Sequence, residues 1–142
     1  MGFVIPNNVK QFFEKIPVMA FSTVDKKGTP NVVAIASKKL VDDDTIWIID
    51  SFFDKTKKNM LQNNKVSLCM WRGLEGYQFK GLAAYHQNDK IFDQAKSWIQ
   101  NIKPNKTVKG VVNITVTEIF FITASAELAG KKLDEKLLRQ LR

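Results

Sequence analysis

The segment from Asp50 to Asn59 gathers the residues of this chain that are best suited to hold an anion. It places Lys55, Thr56 and Lys57 at the start of a predicted helix, directly after a strand of apolar residues. Free backbone N–H groups and the positive end of the helix dipole attract an anion at such a position, and lysine side chains add positive charge. The segment therefore favours phosphate binding.

Helical spacing decides which of these side chains can reach one ligand. Lys55 and Asn59 share one face of the predicted helix and Thr56 lies on the adjacent face, so Lys55 and Thr56 can point at the same group. Lys57 is either a third contact to this group or a side chain that faces water. Without its context the same segment is typical of a solvated helix start, because runs of charge usually face solvent.

The counts of cysteine and histidine argue against several other kinds of site. The chain has one cysteine, Cys69, and one histidine, His86. These counts exclude an internal disulfide, a multi-cysteine zinc site and any catalytic triad that does not use His86. Cys69 is predicted to be buried as a small apolar residue, and His86 is predicted to have no catalytic role. We therefore expect no metal site and no catalytic residue supplied by the protein.

The net charge of +8 is compatible with nucleic acid, an anionic membrane surface or a phosphorylated small molecule as partner. Only three of the 22 basic residues are arginines, whereas recognition of bases favours arginine. Nucleic acid is thus the less favoured partner, although a non-enzymatic basic module that binds it stays open as an alternative. No signal peptide and no apolar stretch of roughly 20 residues is present, which predicts a cytoplasmic protein without a membrane span.

The surrounding sequence predicts more strand than helix. A chain of 142 residues is about one domain long, so we expect a single domain over residues 1–142. Helices are predicted after Pro6, from Lys55 with Asp54 as cap, after Asn88 as cap, and over about residues 131–142. Gly81 predicts a bulge and Gly28 a turn with positive φ. Six strands are predicted, at residues 18–24, 31–36, 45–50, 65–71, 77–85 and 111–123. This order predicts a mainly β (α+β) fold, an antiparallel barrel of about six strands with peripheral helices.

With its elements in this order, the chain resembles the pyridoxamine 5′-phosphate oxidase-like family of FMN-binding split barrels from about Val9 to Thr123. The resemblance rests on motifs spread along the chain rather than on one signature. They are Gly28-Thr29-Pro30, Ala34-Ile35-Ala36-Ser37, the strand at 45–50, Lys55-Thr56-Lys57-Lys58-Asn59, residues 63–68, Trp71, and Gly76-Tyr77-Gln78-Phe79-Lys80-Gly81.

The resemblance implies an FMN site at the interface of a homodimer. Trp71 and Gln78 would approach the flavin from the partner subunit. The other implied contacts belong to one subunit: Val33, Ala34, Ile35 and Ala36 along the isoalloxazine, Ser37 near the phosphate or ribityl chain, Asp50 and Ser51 beside the ring, and Lys55, Thr56 and Lys57 at the phosphate.

Two differences from the family pattern bear on function. Members that oxidise pyridoxamine phosphate carry a C-terminal segment with arginine and histidine, whereas this chain has no histidine after His86, so that activity is not expected. Lysine in place of arginine at the helix start keeps the charge but lacks the bidentate fork. The expected function is that of an FMN-dependent oxidoreductase or electron-transfer protein, and the same barrel with haem or a deazaflavin is a second alternative beside the nucleic-acid-binding module.

Overall fold

The computed structural model describes residues 4–134, and within them the chain forms three helices and seven strands. In chain order the elements are α1 (Asn7–Lys15), β1 (Met19–Val24), β2 (Pro30–Ile35), β3 (Lys38–Leu40), β4 (Thr45–Asp50), α2 (Lys55–Gln62), β5 (Lys65–Arg72), β6 (Glu75–His86), α3 (Lys90–Ile102) and β7 (Gly110–Phe121).

All seven strands join one antiparallel sheet in the order β2-β1-β5-β6-β7-β4-β3. Strands β2 and β3 lie at opposite edges of this sheet, yet only Ala36 and Ser37 separate them in the chain. The three residue steps from Ile35 to Lys38 span at most about 11 Å. The sheet must therefore curl until its two edges approach each other. This half-barrel confirms the predicted mainly β, split-barrel fold.

The core has two layers, and β4 contributes to both. Inside the barrel, Ile46 and Ile48 pack in a cluster that α1 closes with Val9 and Phe13. Outside the barrel, Trp47 and Ile49 pack against α3. Five of the six residues of β4 are buried because each face of the strand meets one layer. The end of this strand is consequently a fixed platform for the loop that follows it.

Several details of the predicted elements are confirmed. The ladder between β6 and β7 shifts register between Lys80 and Gly81, as the predicted bulge requires. Gly28 has a φ of 88° in the hairpin turn between β1 and β2. No helix within residues 4–134 is long and apolar enough to cross a membrane.

Other details of the sequence prediction were wrong. The three-residue strand β3 was not predicted, so the sheet has seven strands rather than about six. The cap of α3 is Asp89, whose side chain accepts the Phe92 N–H at 3.0 Å, rather than Asn88. Asp54 is the N-cap residue of α2 as predicted, but its side chain makes no capping hydrogen bond and its carboxylate instead pairs with Lys58 at 3.2 Å. Cys69 is half-buried rather than buried.

The predicted C-terminal helix falls mostly outside the described residues. Residues 131–134 are not helical, and Lys132 forms an isolated bridge with Phe120 of β7. Leu133 is buried against the main core, and its N–H donates to the Ile119 carbonyl. The rest of the predicted helix, residues 135–142, lies outside the described residues.

Candidate functional site

A cleft of ≈ 270 Å³ lies at the seam where the two edges of the sheet approach each other, beside the end of β4. It brings together six of the twelve residues predicted to bind a cofactor, namely residues 33–37 and Ser51. Four further residues complete the wall: Ile49, Phe52, Phe53 and Lys106. Seven of the ten lining residues are apolar, and the polar side chains among them are Ser37, Ser51 and Lys106.

Ser37 lines this cleft and has a buried hydroxyl without a partner among the described residues. The residue is 7% exposed, and its Oγ makes no hydrogen bond with the part of the chain that the structure describes. The Ser37 backbone is held in place, since its carbonyl accepts the Ile49 N–H at 3.0 Å. An unsatisfied buried hydroxyl costs about 1–3 kcal/mol. Ser37 therefore carries an unsatisfied hydroxyl in the wall of the cleft.

Asp50 lies beside the cleft but does not line it. Its carboxylate is completely buried and accepts hydrogen bonds from the Tyr85 hydroxyl at Oδ2 and from the Phe53 N–H at Oδ1, the second at 2.8 Å. Burial, together with this bond to Asp50, raises the pKa of Tyr85. Asp50 consequently shapes the loop of residues 51–54, and through it the rim of the cleft.

Phe52 and Phe53 form this rim and have different environments. Phe52 is 84% exposed, whereas Phe53 packs its ring 6.1 Å from that of Phe21 in the barrel. The Phe53 carbonyl accepts a hydrogen bond from Lys109 Nζ at 3.2 Å. Because Phe53 is fixed on both sides, the exposed ring of Phe52 stands on an anchored loop at the cleft mouth.

Helix α2 begins two residues after Phe53, and its first turn is open to an anion. Since Asp54 makes no capping bond, no side chain at that position occupies the first N–H groups. Lys55 is exposed, and Lys57 is half-buried with its Nζ 4.8 Å from the centre of the Tyr85 ring. The two lysines thus place positive charge on the helix start that adjoins the cleft.

Thr56 faces the protein rather than the helix surface. The residue is 1% exposed, and its Oγ1 accepts a hydrogen bond from Asn31 Nδ2 at 3.1 Å. Asn31 also donates to Thr23 Oγ1 at 3.2 Å, and Asn59 of α2 donates to the same atom at 3.0 Å. These four side chains fasten α2 to β1 and β2, so the position of its first turn is set by a buried polar network.

Trp71 and Gln78 lie outside the cleft of their own chain. Gln78 pairs with Cys69 across strands β5 and β6, and Trp71 is 55% exposed near the end of β5. Trp71 borders an apolar depression with Val18 and Val32, both exposed. Val33 and Ala34 line both this depression and the cleft. The two surfaces are therefore neighbours on β2.

Lys106, which the sequence analysis did not identify, comes from the loop between α3 and β7. The Ser51 hydroxyl donates to the carbonyl of the next residue, Thr107, at 2.6 Å. The Lys109 N–H donates to the Asp50 carbonyl at 2.8 Å. These bonds draw the loop to the end of β4, where Lys106 becomes part of the cleft wall.

The His86 side chain forms its described hydrogen bond away from the cleft. Its Nδ1 lies 2.6 Å from Asp89 Oδ2, beside the start of α3. Within residues 4–134 no three His, Cys, Asp or Glu side chains are grouped closely enough to hold a metal ion.

The fold is that of a split-barrel protein with a cleft at the seam. The family model for pyridoxamine 5′-phosphate oxidase matches residues 5–123, and the chain belongs to that family. It is 34% identical over 117 residues to the uncharacterized protein MJ0282 of Methanocaldococcus jannaschii, covering 80% of this chain and 78% of that protein.

Solved structures share the fold at lower identity. HupZ of Group A Streptococcus superposes with a TM-score of 0.78 at 27% identity, covering 89% of this chain and 98% of HupZ. An FMN-binding protein from Syntrophomonas wolfei gives 0.69 at 21% identity, covering 80% and 82%. The haem storage protein HutZ of Vibrio cholerae gives 0.65 at 15% identity, covering 83% and 94%. The fold therefore occurs both in an FMN-binding protein and in a haem storage protein.

Proposed function

We propose that this protein binds FMN in the seam cleft and acts as an oxidoreductase or electron-transfer protein. The observation that carries the proposal is the cleft itself: six of the predicted residues line it, and the unpartnered Ser37 hydroxyl lies among them. Membership of the family and the shared fold of an FMN-binding protein support the choice of cofactor. Bound FMN would supply the electron-transfer chemistry, and the protein would position it.

Different residues of the site would contact different parts of FMN. Val33 and Ile35 offer apolar contact to the ring, and the Ser37 hydroxyl offers a hydrogen bond. Lys55 and Lys57 provide charge for the phosphate at the open start of α2. Thr56 would contribute its backbone N–H there, because its hydroxyl already accepts a bond from Asn31.

Titration with FMN and with riboflavin, followed by flavin fluorescence, tests this assignment. The double variant Lys55→Ala/Lys57→Ala should weaken FMN binding about tenfold or more, since a hydrogen bond to a charged group contributes about 1.5–3 kcal/mol. Riboflavin, which has no phosphate, should bind both proteins equally. Lys58→Ala is the matched control, because Lys58 already pairs with Asp54. Wild-type protein that binds neither flavin would contradict the proposed function.

We also propose that the protein is a homodimer joined through the apolar depression on β1, β2 and β5. Val32 and Trp71 are 64% and 55% exposed there, and exposed apolar patches mark interaction surfaces. Because Val33 and Ala34 border both surfaces, a second copy seated on this depression would lie next to the flavin cleft. In that arrangement Trp71 and Gln78 of one subunit would contact the flavin bound to the other.

Haem is the competing cofactor that the fold of HutZ raises. Haem iron takes histidine, cysteine, methionine or tyrosine as axial ligand. None of these occurs among the described residues that line the cleft, which is why we favour FMN. Parallel titration with haem and with a deazaflavin separates these cofactors, since tighter binding of either one would replace FMN in the proposal.

A further inference from the structure

Lys106 is the one basic side chain among the described residues that line the seam cleft, and none of those residues is acidic. Lys106 is half-buried there, beside apolar residues such as Val33 and Ile49. An ammonium group in such a wall interacts more strongly with charge on a ligand than it would in bulk water. The cleft therefore has a built-in preference for negative charge, separate from the lysines of α2.

The loop that carries Lys106 is held at both ends. On one side, the Lys106 N–H donates to the Lys103 carbonyl at 3.0 Å and the Lys106 carbonyl accepts Gln100 Nε2 at 3.4 Å. On the other side, the bonds of Ser51 to Thr107 and of Lys109 to Asp50 tie the loop to the end of β4. The backbone of Lys106 is thus held in place in the wall of the cleft.

We propose that Lys106 stabilises the reduced form of bound FMN relative to the oxidised form, an inference that rests on the proposed function. The oxidised ring is neutral, and uptake of two electrons and one proton leaves a reduced ring with a negative charge. A positive charge in the ring-binding cleft favours the second state, and nearby charge is one of the means by which proteins tune a flavin. Lys55 and Lys57, at the phosphate end, would act on both forms equally.

The test measures the midpoint potential of bound FMN by dithionite reduction beside a reference dye. In Lys106→Met, the ratio of the affinities for reduced and oxidised FMN should fall about tenfold, which lowers the two-electron midpoint potential by about 30 mV. Lys106→Arg should retain the wild-type potential because it keeps the charge. Lys103→Met, on the same loop but outside the cleft wall, controls for the loss of one surface charge. Lys106→Gln repeats the measurement if Lys106→Met does not fold.

The outcomes separate this inference from the proposed function. Wild-type protein that binds no flavin overturns both. Wild-type binding with an unchanged potential in Lys106→Met or Lys106→Gln overturns the role of Lys106 alone. A loss of oxidised FMN binding with riboflavin binding intact also overturns it, since Lys106 would then contact the phosphate.

Discussion

The Tyr85 hydroxyl donates a hydrogen bond to the Asp50 carboxylate, which is completely buried where β4 ends. The other oxygen of the same carboxylate accepts the Phe53 N–H at 2.8 Å. One side chain therefore joins β4, β6 and the loop that forms the cleft rim. A buried carboxylate without hydrogen-bond donors destabilises the folded state, so the bond from Tyr85 contributes both to stability and to the shape of the cleft.

Tyr85→Phe should lower the free energy of unfolding by about 1–3 kcal/mol, because it leaves a buried acceptor with one donor fewer. Tyr77→Phe is the matched control. The Tyr77 hydroxyl bonds to Glu75 at 3.2 Å, and because Glu75 is exposed, water can replace this donor at its carboxylate. Urea denaturation of the two variants measures the difference. An equal loss of unfolding free energy in both variants would show that the bond from Tyr85 to Asp50 contributes no more than the bond from Tyr77 to Glu75.

Gly110→Ala should destabilise the protein by about 1–3 kcal/mol through overpacking. A β-carbon at residue 110 would collide with the ring and hydroxyl of Tyr85. The collision should also move Tyr85 away from Asp50 and weaken FMN binding. The double variant Gly110→Ala/Tyr85→Leu should lose less stability than the sum of the single variants, because the collision is then gone. Strict additivity in denaturant unfolding would contradict this account.

The sequence was sufficient to predict the barrel because its strands and turns follow local patterns. β4 reads as a continuous apolar run, and the Gly81 bulge and the turn at Gly28 have their usual residue types. β3 was missed because Lys38 and Lys39 hide the strand pattern. Lys38 is half-buried there, and its Nζ donates to the Phe13 carbonyl at 3.0 Å. Burial lowers the pKa of Lys38, a tertiary effect that no local pattern contains.

The lining of the cleft was predictable in part, but for a different reason. Residues 33–37 and Ser51 were identified through the family resemblance, and the structure brings them together. The inward direction of Thr56 depends on its bond to Asn31, and the place of Lys106 depends on a loop folded back onto β4. These contacts join residues 25 or more positions apart, so no local sequence pattern predicts them.

Ser37→Ala should separate binding from stability. The Ser37 hydroxyl has no described partner in the protein alone, so its removal should leave the melting temperature of the flavin-free protein unchanged or raised. FMN binding should weaken about fivefold, which corresponds to one hydrogen bond of about 1 kcal/mol. Ser51→Ala is the opposite case, because the Ser51 hydroxyl donates to the Thr107 carbonyl and its loss should lower the melting temperature. Calorimetry and flavin titration on both variants give the comparison.

Val32→Lys should convert the proposed dimer to a monomer, since it places charge in the apolar depression beside Trp71. Light scattering after size-exclusion chromatography measures the mass. Leu74→Lys introduces the same charge at another exposed apolar residue, in the turn between β5 and β6, and should leave the mass unchanged. A wild-type protein that is already monomeric would contradict the dimer.

The Asp25 carboxylate should give the hairpin a pH-dependent contribution to stability. It accepts the N–H groups of Thr29 and Lys27 at 2.9 and 2.8 Å, and the bond from Thr29 is the chief cause that lowers its pKa below 3.8. Because the folded pKa lies below the unfolded one, the contribution is present above about pH 4 and is lost as the pH falls through the folded pKa. Asp25→Asn keeps an acceptor but does not titrate. Thermal unfolding from pH 3 to pH 7 should show the gap between the two proteins narrowing below about pH 4, and a constant gap would refute the assignment.

Ala36 and Ser37 join the two edge strands of the sheet, so a ligand in the cleft beside them would help to hold the sheet closed. A ligand seated there would contact the edge strand β2 on one side and the end of β4, the neighbour of the other edge strand β3, on the other. It would thus bridge two parts of the sheet that the chain itself connects through residues 36 and 37. Opening of the barrel at this seam would require the ligand to leave first. Amide hydrogens of β2 and β3 should therefore exchange with solvent more slowly in the occupied protein than in the empty one, while those of the central strands β5 and β6 change little.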